Sequence, residues 1–134
     1  MNAAPTLSDD SSTAPRTVLV VEDEVLIRLA VSDYLRECGY QVIEASNAEE
    51  AIRVLEAGIK VDVVFSDVNM PGSLDGFGLA QWVRRERSAI KVILASGAAR
   101  SAKAAGDLCH QGPFLKKPYA HEDLEREIRA LLAQ

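Results

Sequence analysis

"VDVVFSDVNMPG", Val61 to Gly72, is the stretch whose reading decides the fold. Residues 62–66, DVVFS, read as a strand buried on both faces, since a half-exposed strand would alternate polar and apolar residues. The run ends on a carboxylate, Asp67, and Met70-Pro71-Gly72 then breaks the chain with turn-forming residues. An acid at that point is either a turn residue or a reactive group, and the rest of the sequence decides between them.

The same punctuation recurs on both sides of this stretch. TVLVV (17–21) and QVIEA (41–45) read as strands before it, and KVILAS (91–96) and PFLK (113–116) as strands after it. Between them, residues 24–38 carry apolar residues at helical spacing and stop at Gly39. Asn47 with Glu50 three residues on starts a second helix, AEEAIRVLEAG. Asp75 or Gly76 opens a third, FGLAQWVRRERS, and residues 98–110 are weakly helical and poor in large apolar anchors. HEDLEREIRALLA (121–133) closes the series, with Leu124, Ile128, Leu131 and Leu132 on one side. Its Glu122–Arg126 and Glu125–Arg129 pairs have the favourable order at i,i+4. Five strands alternating with five helices predict an α/β fold with a parallel sheet covered on both faces, because parallel strands need crossovers.

Composition narrows the function classes. The 134 residues suit one domain, with 48% hydrophobic and 26% charged residues. Residues 1–15, rich in Ser, Thr, Asp, Ala and Pro, read as a flexible tail, and 16–134 as the domain. No apolar run approaches a membrane span and no secretory signal is visible, so the expected location is the cytoplasm with no membrane partner. Fifteen Lys and Arg scattered among twenty acids, net charge −5, argue against nucleic acid as a partner. Cys38 and Cys109 match no metal or redox spacing, and His110 and His121 read as helix-end or surface residues.

In a doubly wound parallel sheet, functional groups collect beyond the C-terminal strand ends. Those ends carry Glu22, Asp23 and Glu24; Asp67 followed by Asn69; Ser96 and Gly97; and Lys116, Lys117 and Pro118. Each has an ordinary explanation alone: acids cap helices, Asp67 suits a turn, Ser96 is a strand-end residue and Lys117 a solvated one. Together they form a set of acids, a hydroxyl and an ammonium at one place. Two carboxylates about 4 Å apart repel by about 4 kcal/mol at an effective dielectric near 20, so the cluster calls for a cation. Oxygen ligands with several waters favour Mg2+. A carboxylate beside Mg2+, Lys117 and a hydroxyl is equipped to attack phosphorus and hold an acyl phosphate.

The motifs VLVVEDE, VDVVFSDVNMPG…DG, VILASG and FLKKP, in this order over residues 17–133, resemble the receiver domains of bacterial two-component response regulators. The resemblance implies a flavodoxin-like (βα)5 fold with strand order 2-1-3-4-5. It implies that Asp67 accepts a phosphoryl group from a phosphohistidine on a sensor histidine kinase or histidine phosphotransfer protein. Mg2+ would be held by Asp23, Asp67 and the backbone carbonyl of Asn69, with Glu22 acting mainly through metal-bound water. Lys117 would bind a phosphoryl oxygen, with a cis peptide bond before Pro118 aiming it. Ser96 and Phe114 fall at the family's hydroxyl and aromatic switch positions. Three features depart from the pattern: MPGSLDG is one residue longer than the commoner loop, 98–112 lacks the usual acidic and aromatic content, and Lys116 adds an unassigned ammonium.

The reading is a stand-alone response regulator without a DNA-binding output domain in these residues. It would signal through a downstream protein or a phosphorylation-dependent dimer, with only Mg2+-dependent self-phosphorylation and slow self-dephosphorylation as chemistry. A receiver-like module that is never phosphorylated would have no need of the acids, hydroxyl and lysine. A phosphohydrolase resembling haloacid dehalogenases would want a second acid two residues after the nucleophile, where this chain has Asn69.

Overall fold

In the computed structural model, residues 14–97 and 114–134 are described. The expectations for most of the tail, for the weakly helical segment 98–112, and for Cys109 and His110 fall outside them. β1 (Thr17–Val21) is buried at all five positions. Its alternate residues serve opposite faces: Leu19 and Val21 join one core, Val18 and Val20 the other. β2 (Gln41–Ala45), β3 (Val63–Asp67), β4 (Lys91–Ser96) and β5 (Phe114–Lys116) complete a five-stranded sheet in the order β2-β1-β3-β4-β5. All four pairings are parallel, with Val20 opposite Phe65, Asp67 opposite Ala95 and Ser96 opposite Lys116. The expected fold class and strand order are those observed. β3 ends on Asp67, as the sequence pattern suggests, and begins one position later than expected, at Val63.

Four helices lie among the described residues. α1 (Val25–Glu37) and α4 (His121–Leu132) cover one face, where Val31, Leu35, Leu124 and Ile128 pack on Val63, Phe65 and Ile93. α2 (Ala48–Glu56) and α3 (Gly76–Glu86) cover the other, where Leu55, Leu79 and Val83 pack on Leu19, Val64 and Leu94. Each fully buried Leu or Ile stabilises the fold by about 1.5–3 kcal/mol.

The local start and stop signals act as read. The Asn47 side chain accepts the Glu50 N–H at 2.8 Å, and the Asp75 side chain accepts the Gly78 N–H at 2.9 Å. Gly39, with φ +101°, ends α1. On α4 the Glu125–Arg129 pair forms at 2.8 Å, but Arg126 turns back one turn to Asp123 at 2.7 Å instead of meeting Glu122. Both arrangements keep the guanidinium exposed, where such a pair contributes little. No helix among the described residues is long and apolar enough to cross a membrane.

Candidate functional site

Strand order reverses at β1, which has β2 on one side and β3 on the other, and the site lies past the C-terminal ends of β1 and β3. Glu22 follows β1 directly and is 5% exposed. Three bonds fix it: its N–H donates to the Ala45 carbonyl at 3.0 Å, its carboxylate accepts the Glu24 N–H at 3.1 Å, and its carbonyl accepts the Arg28 guanidinium at 2.8 Å. Arg28 is in turn braced against Glu44 on β2 at 3.2 Å. Asp23 is exposed, whereas Asp67 is only 7% exposed at the end of β3.

The carboxylate oxygens of Glu22, Asp23 and Asp67 can all lie within 4.8 Å of one another. Against these three negative charges stands one ammonium. Lys117 Nζ is 3.2 Å from Asp67 and 3.6 Å from Glu22, while its backbone N–H donates to the Ser96 carbonyl at 3.0 Å. The Lys117–Pro118 peptide bond is cis, as expected from the sequence. Ser96 is fully buried at the end of β4. With all three carboxyls ionised, they leave a net charge of −2 beside the one ammonium, on hard oxygen donors, which fits a divalent cation such as Mg2+.

Titration behaviour follows from this crowding. Burial pushes the Glu22 carboxyl up to about 7, with Asp67 adding to the push and Lys117 opposing it. Burial also raises Asp67, despite the attraction of Lys117. Burial alone would lower Lys117, but Asp67 and Glu22 outweigh it and hold its pKa above the usual value. Tyr119, edge-on to Phe65 behind the lysine, is raised by burial and by the fields of Glu22 and Asp67. Without a cation Glu22 holds a proton part of the time near neutrality. A bound cation would displace it.

The remaining candidates are more peripheral. Asn69 is exposed, two residues beyond Asp67. Phe114 is half-buried and packs against the core shared with α2 and α3. Lys116 is exposed. Two contributors escape sequence reasoning. One is Arg28, which holds the Glu22 carbonyl. The other is Glu49, whose carboxylate accepts the Ser73 hydroxyl, the Ser73 N–H at 3.0 Å and the Leu74 N–H at 3.2 Å. The Ser73 hydroxyl first, then Glu49's own backbone N–H and the loop amides, keep the Glu49 carboxyl below its usual range. Glu49 is 24 residues from Ser73 in sequence, so no local pattern could reveal that contact.

Comparison with known proteins agrees with this geometry. Residues 18–129 match the response regulator receiver domain, and the chain belongs to that family, the receiver domains of two-component systems. The transcriptional regulatory protein PdtaR of Mycobacterium tuberculosis is 36% identical over 122 residues, covering 87% of this chain and 57% of that protein. The sensor kinase CckA of Brucella abortus is 37% identical over 118 residues, covering 87% of this chain and 12% of the kinase. The chain therefore spans little more than half of PdtaR and a small part of CckA.

Among solved structures, a response regulator receiver protein from Pseudomonas putida is 31% identical with a TM-score of 0.78, covering 87% of this chain and 98% of that one. TrrA from Thermotoga maritima, solved with Mg2+ and BeF, is 27% identical with a TM-score of 0.76, covering 87% and 98% respectively.

Proposed function

We propose that this chain is a phosphorylatable receiver whose acceptor is Asp67. The observation that carries this reading is the Asp67 carboxylate: buried at the end of β3, paired with Lys117 at 3.2 Å, and grouped with Glu22 and Asp23. An Asp67 oxygen attacks the phosphorus of a phosphohistidine. The O–P bond forms, the P–N bond breaks with its electron pair going to the ring nitrogen, and the imidazole, protonated beforehand on its other nitrogen, leaves neutral. Asp23, Asp67 and the Asn69 carbonyl would hold Mg2+, with Glu22 acting through metal-bound water. When bound, the cation neutralises charge that develops on the phosphoryl oxygens. Lys117 binds one of those oxygens, and Ser96 and Phe114 respond to the new group as hydroxyl and aromatic switches.

The donor is a sensor histidine kinase or a histidine phosphotransfer protein, and the output is a change in protein–protein contacts in the cytoplasm. A groove of about 480 Å³ lined by Leu26, Ile27, Ala30, Pro118, Tyr119 and His121 reaches Lys117, and Leu26 is 80% exposed. This apolar surface beside the acceptor suits a protein donor better than a small polar one. A larger cleft of about 690 Å³, lined by Pro15, Thr17, Tyr40 and Gln41, lies at the opposite strand ends and contains none of the acids.

Phosphotransfer profiling against labelled phosphohistidine donors from the source organism tests the reading. One donor should transfer to wild type much faster than the others, because specificity is a difference between competing partners. None should transfer to Asp67→Ala; transfer to that variant at the wild-type rate would remove Asp67 from the role.

A further inference from the structure

We infer that Glu49 is a positioning residue for the metal-binding half of the site, acting through the turn that follows Asp67. This inference rests on the receiver reading above. The turn over residues 69–75 is an arch. Its base is closed where the Val68 N–H donates to the Ala95 carbonyl at 2.9 Å and the Gly76 N–H donates to the Val68 carbonyl at 2.8 Å. Its tip is exposed at Pro71, Gly72 and Ser73. The Glu49 carboxylate is what grips that tip, taking the Ser73 hydroxyl and the amides of Ser73 and Leu74.

The grip comes from a fixed support. Glu49 is the second residue of α2, whose start is tied down by the Asn47 cap, by Glu50 accepting the Ser46 N–H at 2.6 Å, and by the buried Ala48, Ala51 and Leu55. The arch is shaped to receive it. Gly72 has φ +112°, and a Cβ there would lie 2.9 Å from Glu49 Oε1. Asn69, the proposed carbonyl ligand, sits between the closed base and the gripped tip. With the tip held, the Asn69 carbonyl keeps one direction; with the tip released, ordering it costs entropy each time metal binds.

The test compares wild type, Glu49→Ala, Glu49→Gln and Ser73→Ala. Three quantities are measured: the Mg2+ dissociation constant by calorimetry, the Mg2+ dependence of labelling by acetyl phosphate, and Tm without metal. Glu49→Ala is expected to raise the Mg2+ constant and the half-saturating Mg2+ concentration about tenfold. Its maximal labelling rate at saturating Mg2+ should stay within about twofold of wild type, as a positioning role requires.

Glu49→Gln keeps an oxygen for the amides and should recover part of the loss, while Ser73→Ala should show a smaller loss. If Glu49→Ala fails to fold, Glu49→Gln and Ser73→Ala carry the same comparison. A wild-type protein that binds Mg2+ and is labelled, beside variants differing only in Tm, would overturn the inference and leave the receiver reading intact. A wild-type protein that neither binds Mg2+ nor is labelled would overturn both.

Discussion

Asp67 and Asn69 are two residues apart, yet they are held by different means. Asp67 belongs to the sheet: it pairs in register with Ala95, is almost wholly buried, and meets Lys117, carried past the end of β5, two strands away. Asn69 belongs to an exposed arch whose shape depends on one carboxylate, one cap and one close-packed glycine. The sheet half concentrates charge and must be rigid to bear it, since like charges held in place cannot relax apart. The arch half has only to present a carbonyl and to leave space. The two halves should therefore fail differently: damage to the sheet half removes chemistry, and damage to the arch weakens metal binding.

The largest expected effect is at Asp67. Asp67→Ala should reduce phosphoryl labelling to background while the fold survives, as circular dichroism would show. Lys117→Ala should lower the labelling rate by about 10²-fold, the usual cost of losing one preorganised charge at a phosphoryl group. A variant labelled at the wild-type rate would show that the 3.2 Å contact has no part in the chemistry.

Gly76 joins the two halves. A Cβ there would lie 2.3 Å from the Asp67 carbonyl oxygen and 2.7 Å from Val68 Cα, both backbone atoms. Gly76→Ala should cost about 1–3 kcal/mol in chemical denaturation, the range for forced overpacking. Gly97→Ala serves as its control. Among the described residues its Cβ would meet only the Lys117 Cβ, at 3.5 Å, so a change within about 0.5 kcal/mol is expected. Equal losses at both positions would contradict the close approach of α3 to β3.

The pH dependence separates proton from metal. Glu22 is raised to about 7 and Asp67 is also raised, so both bind protons more tightly in the folded, metal-free protein than when unfolded. The Glu22 contribution to metal-free stability is present below about pH 4.5 and is lost as pH rises through about 7, and the Asp67 contribution has the same sign. Mg2+ binding has the opposite sign, because it needs the carboxylates ionised. The Mg2+ affinity should rise about tenfold between pH 6 and pH 8, the competition set by one group titrating near 7. Calorimetry at the two pH values checks this, and a flat profile would show that Glu22 does not compete with metal.

Much of this architecture was legible in the sequence, for a physical reason. Strands buried on both faces must be apolar at nearly every position, so TVLVV and VVFS stand out without alignment. The helix starts at Asn47 and Asp75 were equally readable, because an N-cap is a local bond over three residues. The site residues followed from topology: once the strands are parallel, their C-terminal ends must lie together.

What was not legible depends on pairs distant in sequence or on competing partners. Glu49 reaches Ser73 only because α2 and α3 share a face, and Arg28 reaches Glu22 around the α1 turn. Arg126 had two acids within reach, and spacing alone could not choose between Glu122 and Asp123.

The most direct test of the account is to incubate the full chain with acetyl phosphate and Mg2+, then map the modified residue by mass spectrometry after trapping the acyl phosphate. The account predicts one phosphoryl group, on Asp67, that does not form when Mg2+ is chelated before acetyl phosphate is added and is absent in Asp67→Ala. A phosphoryl group on another residue, or labelling unchanged by chelation, would contradict it.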